Sequence, residues 1–262
     1  MTLEVERSSD HPGVLHLNFS NPPVNATSIA DLRSLAEELD SVSEDDRVVV
    51  ISASGSGFSA GGDLKEMAEM ESHEGILQQC LESARACAAI SKCPVPVIVS
   101  VHDYCLGVGI EIVGSADIAI ANETALFQWT EVDNGTVGGA AQGFRMLPPQ
   151  ALRHLMFTAE PITARDLWSR GGLTEVVPEP ELKPRTDEVA QSIADKQPHL
   201  VRLLKSSMDG IEDVDIENSM RFEQGFIFQL NMEGTGEAAR SAFLDGTRPG
   251  AVSYTHLRAH ET

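Results

Sequence analysis

Lysine, cysteine and long apolar runs are all scarce in this sequence, and each scarcity removes a class of function. Five lysines stand against 14 arginines, and 19 basic residues face 40 acidic ones, giving a formal charge of -21. So negative a chain is a poor general nucleic-acid binder, because such binding needs cations to displace counterions from phosphates. It is equally unsuited to an anionic membrane surface, while the charge keeps the molecule solvated and dispersed. No apolar run approaches the roughly 20 residues that span a bilayer. The opening Met1-Thr-Leu-Glu-Val-Glu is acidic and lacks the apolar stretch of a secretory leader. Four cysteines in 262 residues make no disulfide framework. A reducing cytoplasm is therefore the expected location.

Several catalytic signatures are also missing. There is no GxxxxGK[ST] and no GxGxxG, so neither a P-loop nor a dinucleotide fingerprint is present. His73-Glu74 is not HExxH, because residue 77 is Leu. Cys80, Cys87, Cys93 and Cys105 lack paired zinc spacing and read as buried thiols, so no metal is expected. His102-Asp103 falls in a strand-to-turn link, where a structural role is expected.

What is present is a globular composition, 42% hydrophobic, with strands and helices in alternation. Val14 to Phe19 alternates as a strand. Apolar residues recur at helical spacing from Ser28 to Leu39, with Thr27 or Ser28 as cap. Val48–Ser52, Val97–Val101 and Asp117–Ala121 are apolar runs that suit strands buried on both faces. Helices are expected over 74–92, from the turn at Leu106–Gly109 through Gly114, over 149–158, from a Thr163 cap, over 186–209 and over 215–230. The pattern predicts an α/β core with a helical C-terminal third. Domain bounds are expected at 1–190 for the core and 191–251 for the helical region. Residues 252–262, VSYTHLRAHET, match a translated frame of a transposon-type sequencing adapter. They are left out of fold reasoning, with His256 and His260, and the natural C-terminus is expected elsewhere.

Two segments share a design of buried strand, glycine-bearing turn and helix start. They are Val48-VVISASGSGFSAGGDLKEM and Val97-IVSVHDYCLGVGIEIV. Helix-start amides lack internal partners, and glycine lets a ligand approach the backbone. Two such turns facing one point would form a two-donor oxyanion hole. Taken singly, each turn is as well read as a plain connection. Glu111 lies in the apolar helix start IEIVG, and Glu131 follows Phe127-Gln-Trp-Thr. From spacing alone each is either a solvated acid or a group held in a cleft with a perturbed pKa.

The segments Asn21-Pro-Pro-Val-Asn-Ala, Phe58-Ser-Ala-Gly-Gly-Asp-Leu-Lys-Glu-Met, Pro94-Val-Pro-Val-Ile, Leu106-Gly-Val-Gly-Ile-Glu, Ala116-Asp-Ile-Ala-Ile-Ala, Phe127 to Glu131 and Leu173-Thr-Glu-Val-Val occur in order. Together they resemble the crotonase superfamily of enoyl-CoA hydratases and isomerases. The resemblance implies a crotonase-like spiral of ββα units with a helical C-terminal trimerisation region, assembled as a homotrimer or a dimer of trimers. It implies an acyl-CoA substrate and no separate cofactor, since coenzyme A enters as part of the substrate. By motif position the thioester oxygen would be held by the N–H groups of Gly62 and Val108, and Glu111 and Glu131 would be the catalytic acids. Asn25 and Ala26 would line the pantetheine route. Ala60, Asp63 and Leu64 would lie by the adenine, and Lys65 would reach a phosphate or face solvent. Where the family pattern is Gly-x-Pro-Glu this chain has Gln128-Trp-Thr-Glu, and the bulky Trp129 either reshapes the acyl pocket or belongs to the core.

Adding water across a conjugated thioester needs one group to activate water and another to deliver a proton to carbon, so two glutamates imply enoyl-CoA hydration. The stretch Arg221-Phe-Glu-Gln-Gly-Phe-Ile-Phe-Gln-Leu-Asn with Met156-Phe-Thr-Ala resembles a bacterial subgroup. That subgroup includes a hydrolase that opens a ring of a steroid-derived CoA thioester by a retro-Claisen step. Its pattern has no glutamate at the place of Glu111, which tilts the expectation to hydration. Ring-opening C–C hydrolysis or isomerisation, and a non-catalytic assembly subunit, are the alternatives. An RNA-binding role, known in the superfamily, is opposed by the charge. Glu223 and Gln224 are expected to be structural or trimer-contact residues.

Overall fold

The computed structural model describes residues 2–7, 12–70, 73–211, 216–232 and 234–247. The 252–262 tail lies outside them, as does the side chain of Glu223. Strands β1 (Thr2–Arg7) and β2 (Val14–Ser20) lead into helix α1 (Ile29–Asp40), and β3 (Val48–Ala53) into α2 (Leu64–Glu69) and α3 (Glu74–Lys92). Then come β4 (Val97–Val101), β5 (Tyr104–Leu106), α4 (Val108–Ser115), β6 (Ile118–Asn122) and β7 (Leu126–Gln128). A 3-10 turn at Val132–Asn134 precedes α5 (Ala140–Met146) and α6 (Pro149–Thr158). Strand β8 (Ile162–Thr163), α7 (Ala164–Ser169) and β9 (Glu175–Val177) are followed by helices α8 (Glu179–Ala194), α9 (Pro198–Ile211), α10 (Ile216–Met232) and α11 (Thr235–Leu244).

The main sheet has the order β1-β2-β3-β4-β6-β9, parallel throughout except for the β1–β2 pair. Its central strands are apolar at nearly every position because both faces are covered, with Ser52, Ser100 and Asn122 as the exceptions in β3, β4 and β6. Val49 and Ile51 pack with Leu15, Leu17, Leu32 and Ile90. Their neighbours Val48 and Val50 turn to the other face, where Ile98 and Ile120 meet Leu182, Ala190 and Ala194 of α8. A second sheet, β5-β7-β8, stands beside it, and an isolated bridge between Ser59 and Cys105 ties it to the loop after β3.

Ser28 caps α1 in a full capping box with Asp31, and Thr163 caps α7 by accepting from Asp166 N. The expected 186–209 helix is two helices. Pro198 cannot continue α8 and opens α9 instead, and α8 itself begins at Glu179. The helix α5 begins inside the glycine-rich stretch 135–143, and the three-residue strands β5 and β7 are too short to carry a readable period.

Candidate active site

The loops after β3 and β5 meet backbone to backbone. Gly61 has φ +92°, and a Cβ placed on it would lie 3.6 Å from Leu106 O. Gly107 has φ +50°, and its Cβ would lie 3.6 Å from Gly61 Cα. Both positions need glycine for the left-handed backbone and for the close approach. Thr27 N donates to Gly61 O at 2.7 Å and Asp63 N donates to Thr27 O at 3.0 Å, which clamps Gly62 between them. The Gly62 N–H has no partner among the described residues. Val108 is the first residue of α4, so its N–H lacks an intrahelical acceptor, and it too has no partner among the described residues. Gly62 and Val108 both line one cavity of about 740 Å³.

Glu111 lies one turn into α4, a helix whose eight residues are all buried. Ser83 of α3 donates its hydroxyl to Glu111 Oε2. Burial pushes the Glu111 carboxyl above its ordinary range, and the bonds from the Ser83 hydroxyl and the Gly139 N–H draw it partly back. Glu131 sits half-buried at the start of the 3-10 turn and also lines the cavity. The two carboxyl side chains converge on Gly138. A Cβ there would stand 3.2 Å from Glu111 Oε1 and 3.6 Å from Glu131 Cγ. Glu131 Oε1 also lies 3.3 Å from where a Cβ of Gly107 would be, against the turn that presents Val108. Two carboxyls and two unpartnered amides thus share one space, an arrangement suited to stabilising an enolate while moving protons at its carbon.

Ala26, Ala60, Asp63, Leu64 and Lys65 all line the same cavity. The Ala60 N–H is taken by Asn25 O at 3.1 Å, and the Asp63 carboxylate caps α2 through Lys65 N and Glu66 N. Lys65 is exposed. Two expectations need correction. Asn25 is not on the cavity wall: its side-chain amide, 4% exposed, donates to Ser54 O and Gly57 O and accepts from Asn21 N, fastening two loops together. Trp129 is core, 1% exposed beside Phe127, with its indole N–H donating to Gly139 O at 3.3 Å. It does not touch the cavity but backs the glycine turn against which Glu111 rests. Gln224 donates to Cys80 O at 2.8 Å and so ties α10 to α3. Ser83 carries no motif of its own, while Gly138 and Gly139 stand in the glycine-rich stretch 135–143 with nothing in it to mark which side chains they meet.

Residues 9–245 match the family model described as Enoyl-CoA hydratase/isomerase. The chain belongs to this family, within the crotonase superfamily. This crotonase-superfamily chain is 35% identical over 94% of its length to "(7aS)-7a-methyl-1,5-dioxo-2,3,5,6,7,7a-hexahydro-1H-indene-carboxyl-CoA hydrolase" of Rhodococcus jostii (strain RHA1), covering 96% of that protein. It is 35% identical over 90% of its length to human "Enoyl-CoA hydratase domain-containing protein 3, mitochondrial", covering 80% of it. A solved enoyl-CoA hydratase of Mycobacterium avium subsp. paratuberculosis K-10 superposes with a TM-score of 0.83 at 20% identity, over 92% of this chain and 98% of that one. That likeness establishes the crotonase fold. Among the described residues no helix is long and apolar enough to cross a membrane.

Proposed function

We propose that this chain is a hydrolase that opens a ring in a cyclic acyl-CoA thioester by adding water across a carbon–carbon bond. The observation that carries the reading is the convergence of Glu111 and Glu131 on Gly138, beside the unpartnered amides of Gly62 and Val108. The 35% identity to the Rhodococcus jostii protein favours ring opening over other thioester chemistry. In this reading Glu131 takes a proton from water, whose oxygen adds to a ring ketone carbon. The bond from that carbon to its neighbour, which is conjugated with the thioester, then breaks. The electron pair runs to the thioester oxygen, where the Gly62 and Val108 amides bond more strongly as charge develops. Glu111, whose protonated form burial favours, returns a proton to carbon. One water is consumed, and a carboxylic acid and a C–H bond are formed. A proton passing from Glu131 to Glu111 resets the pair.

Enoyl-CoA hydration is the second reading, favoured by the presence of both glutamates. A panel holding crotonyl-CoA and a cyclic β-diketone CoA thioester separates the two. Ring opening predicts a product heavier by one water and carrying a new carboxyl group, with crotonyl-CoA left unturned. Turnover of crotonyl-CoA alone would transfer the assignment to hydration. In either reaction Glu111→Gln and Glu131→Gln should each lower kcat at least about 100-fold, and full activity in both variants would remove the glutamates from the chemistry.

A further inference from the structure

Gln79 of α3 is 7% exposed, lines the cavity, and has neither its Nε2 nor its Oε1 bonded to any described residue. A buried amide with both ends unsatisfied is costly unless something outside the chain completes it. It sits on the same face of α3 as Ser83, one turn before it, and its Nε2 is 3.1 Å from where a Cβ of Gly62 would lie. Gln79 therefore faces the space just beyond the amides assigned to the thioester oxygen. Around it the wall is apolar, with Met67, Ile76 and Ile227 packed together.

One cation reaches the same wall. Arg240 of α11 lines the cavity, is half-buried, and spends one guanidinium nitrogen on Asn231 Oδ1 at 2.9 Å. It makes no ion-pair contact with a described residue, although the Glu237 carboxylate, three positions earlier on α11, attracts it from farther off. Cys80, the residue after Gln79, lines the same cavity and lies within reach of the charges of both Glu111 and Arg240. In a chain of charge -21, a half-buried arginine with no carboxylate in direct contact is a site held open for an anion.

We propose that Gln79 and Arg240 form an oxygen-recognition subsite for the acyl group. Gln79 donates to a ring ketone of the substrate, and Arg240 pairs with the carboxylate that ring opening creates. This rests on the acyl-CoA reading above and adds to it that the acyl group carries oxygen beyond the thioester. A plain hydrocarbon chain would leave Gln79 unsatisfied and Arg240 unpaired.

Equilibrium binding of three saturated, unreactive probes tests this independently of the reaction: cyclohexanecarboxyl-CoA, its 4-oxo derivative and its 4-carboxy derivative, measured by calorimetry. The 4-oxo probe should bind at least about 10-fold tighter than the plain probe, the size of one good hydrogen bond to a buried group. Gln79→Met should erase that preference with Tm unchanged or higher, because an unsatisfied amide has been removed. The 4-carboxy probe should lose about 10-fold or more in Arg240→Gln while the plain probe is unaffected. Equal affinity of all three probes for the unaltered protein would overturn the subsite and leave the acyl-CoA reading standing. Failure of every probe to bind would overturn both. Loss of all three affinities in Gln79→Met would assign that residue a merely structural role.

Discussion

Gly138→Ala places a methyl group where the two carboxyls meet. Gly138 has an ordinary negative-φ backbone, so alanine fits its conformation without left-handed strain. The new Cβ would stand 3.2 Å from Glu111 Oε1, tighter than ordinary van der Waals contact, and 3.6 Å from Glu131 Cγ. Glu111 cannot move freely, because Ser83 and the Gly139 N–H hold it. Either its carboxyl shifts by a few tenths of an ångström or the space for water between the glutamates shrinks. Misplacing a reacting group by 1 Å costs about 100-fold, so kcat should fall about 10- to 100-fold. Stability should change by less than about 1 kcal/mol, since one methyl at a tolerant site is a small perturbation. Steady-state kinetics on the responsive acyl-CoA, paired with thermal melting, measures both. Unchanged kcat in a variant that melts normally would refute the placement of the reaction at Gly138.

Glu111 also sets a stability signature. Its folded-state pKa is raised by burial, so its contribution is fully present below the unfolded-state value and is lost as pH rises through the folded one. Glu111→Gln cannot ionise, so its Tm advantage over the unaltered protein should grow with pH and flatten below about pH 4; a difference constant with pH would contradict a buried, strained carboxylate. Trp129→Phe removes the indole donor to Gly139 O and part of a filled core site. It should cost about 1 to 2 kcal/mol and lower kcat while leaving KM for acyl-CoA in place, whereas a raised KM with normal kcat would return Trp129 to the substrate pocket.

The strands and the glycine turns were legible because burial on both faces leaves an unmistakable apolar run, and because a turn that touches another backbone has no substitute for glycine. Glu111 was legible as an acid inside IEIVG. The pocket alternative for Trp129 fails for a simple reason: the in-and-out alternation of β7 runs on past its last residue, Gln128. Phe127 and Trp129 therefore turn to the core, while Gln128 and Thr130 face the cavity. Nearness to Glu131 in sequence says nothing about which side a neighbour takes. Asn25, with φ +52°, is likewise turned inward by a turn conformation that composition does not reveal. Gln79 and Arg240 were invisible, since their meaning depends on how α3 is rotated and on where α11 docks, and both are polar residues in helices rich in polar residues. The short strands of the second sheet escaped notice because three residues cannot display a period.

The cavity draws its walls from distant stretches of the chain. The proposed reaction point comes from residues 60–138, whereas Met220, Gln224, Ile227, Arg240 and Phe243 roof it from α10 and α11. α10 packs on α3 and α5, and α11 on α2. Much of the molecular taste therefore lies on a separate length of polypeptide from the chemistry, with Gln79 as its foothold in the catalytic stretch. Drift in the final two helices can redirect such a scaffold toward new metabolites while the machinery beneath is inherited intact.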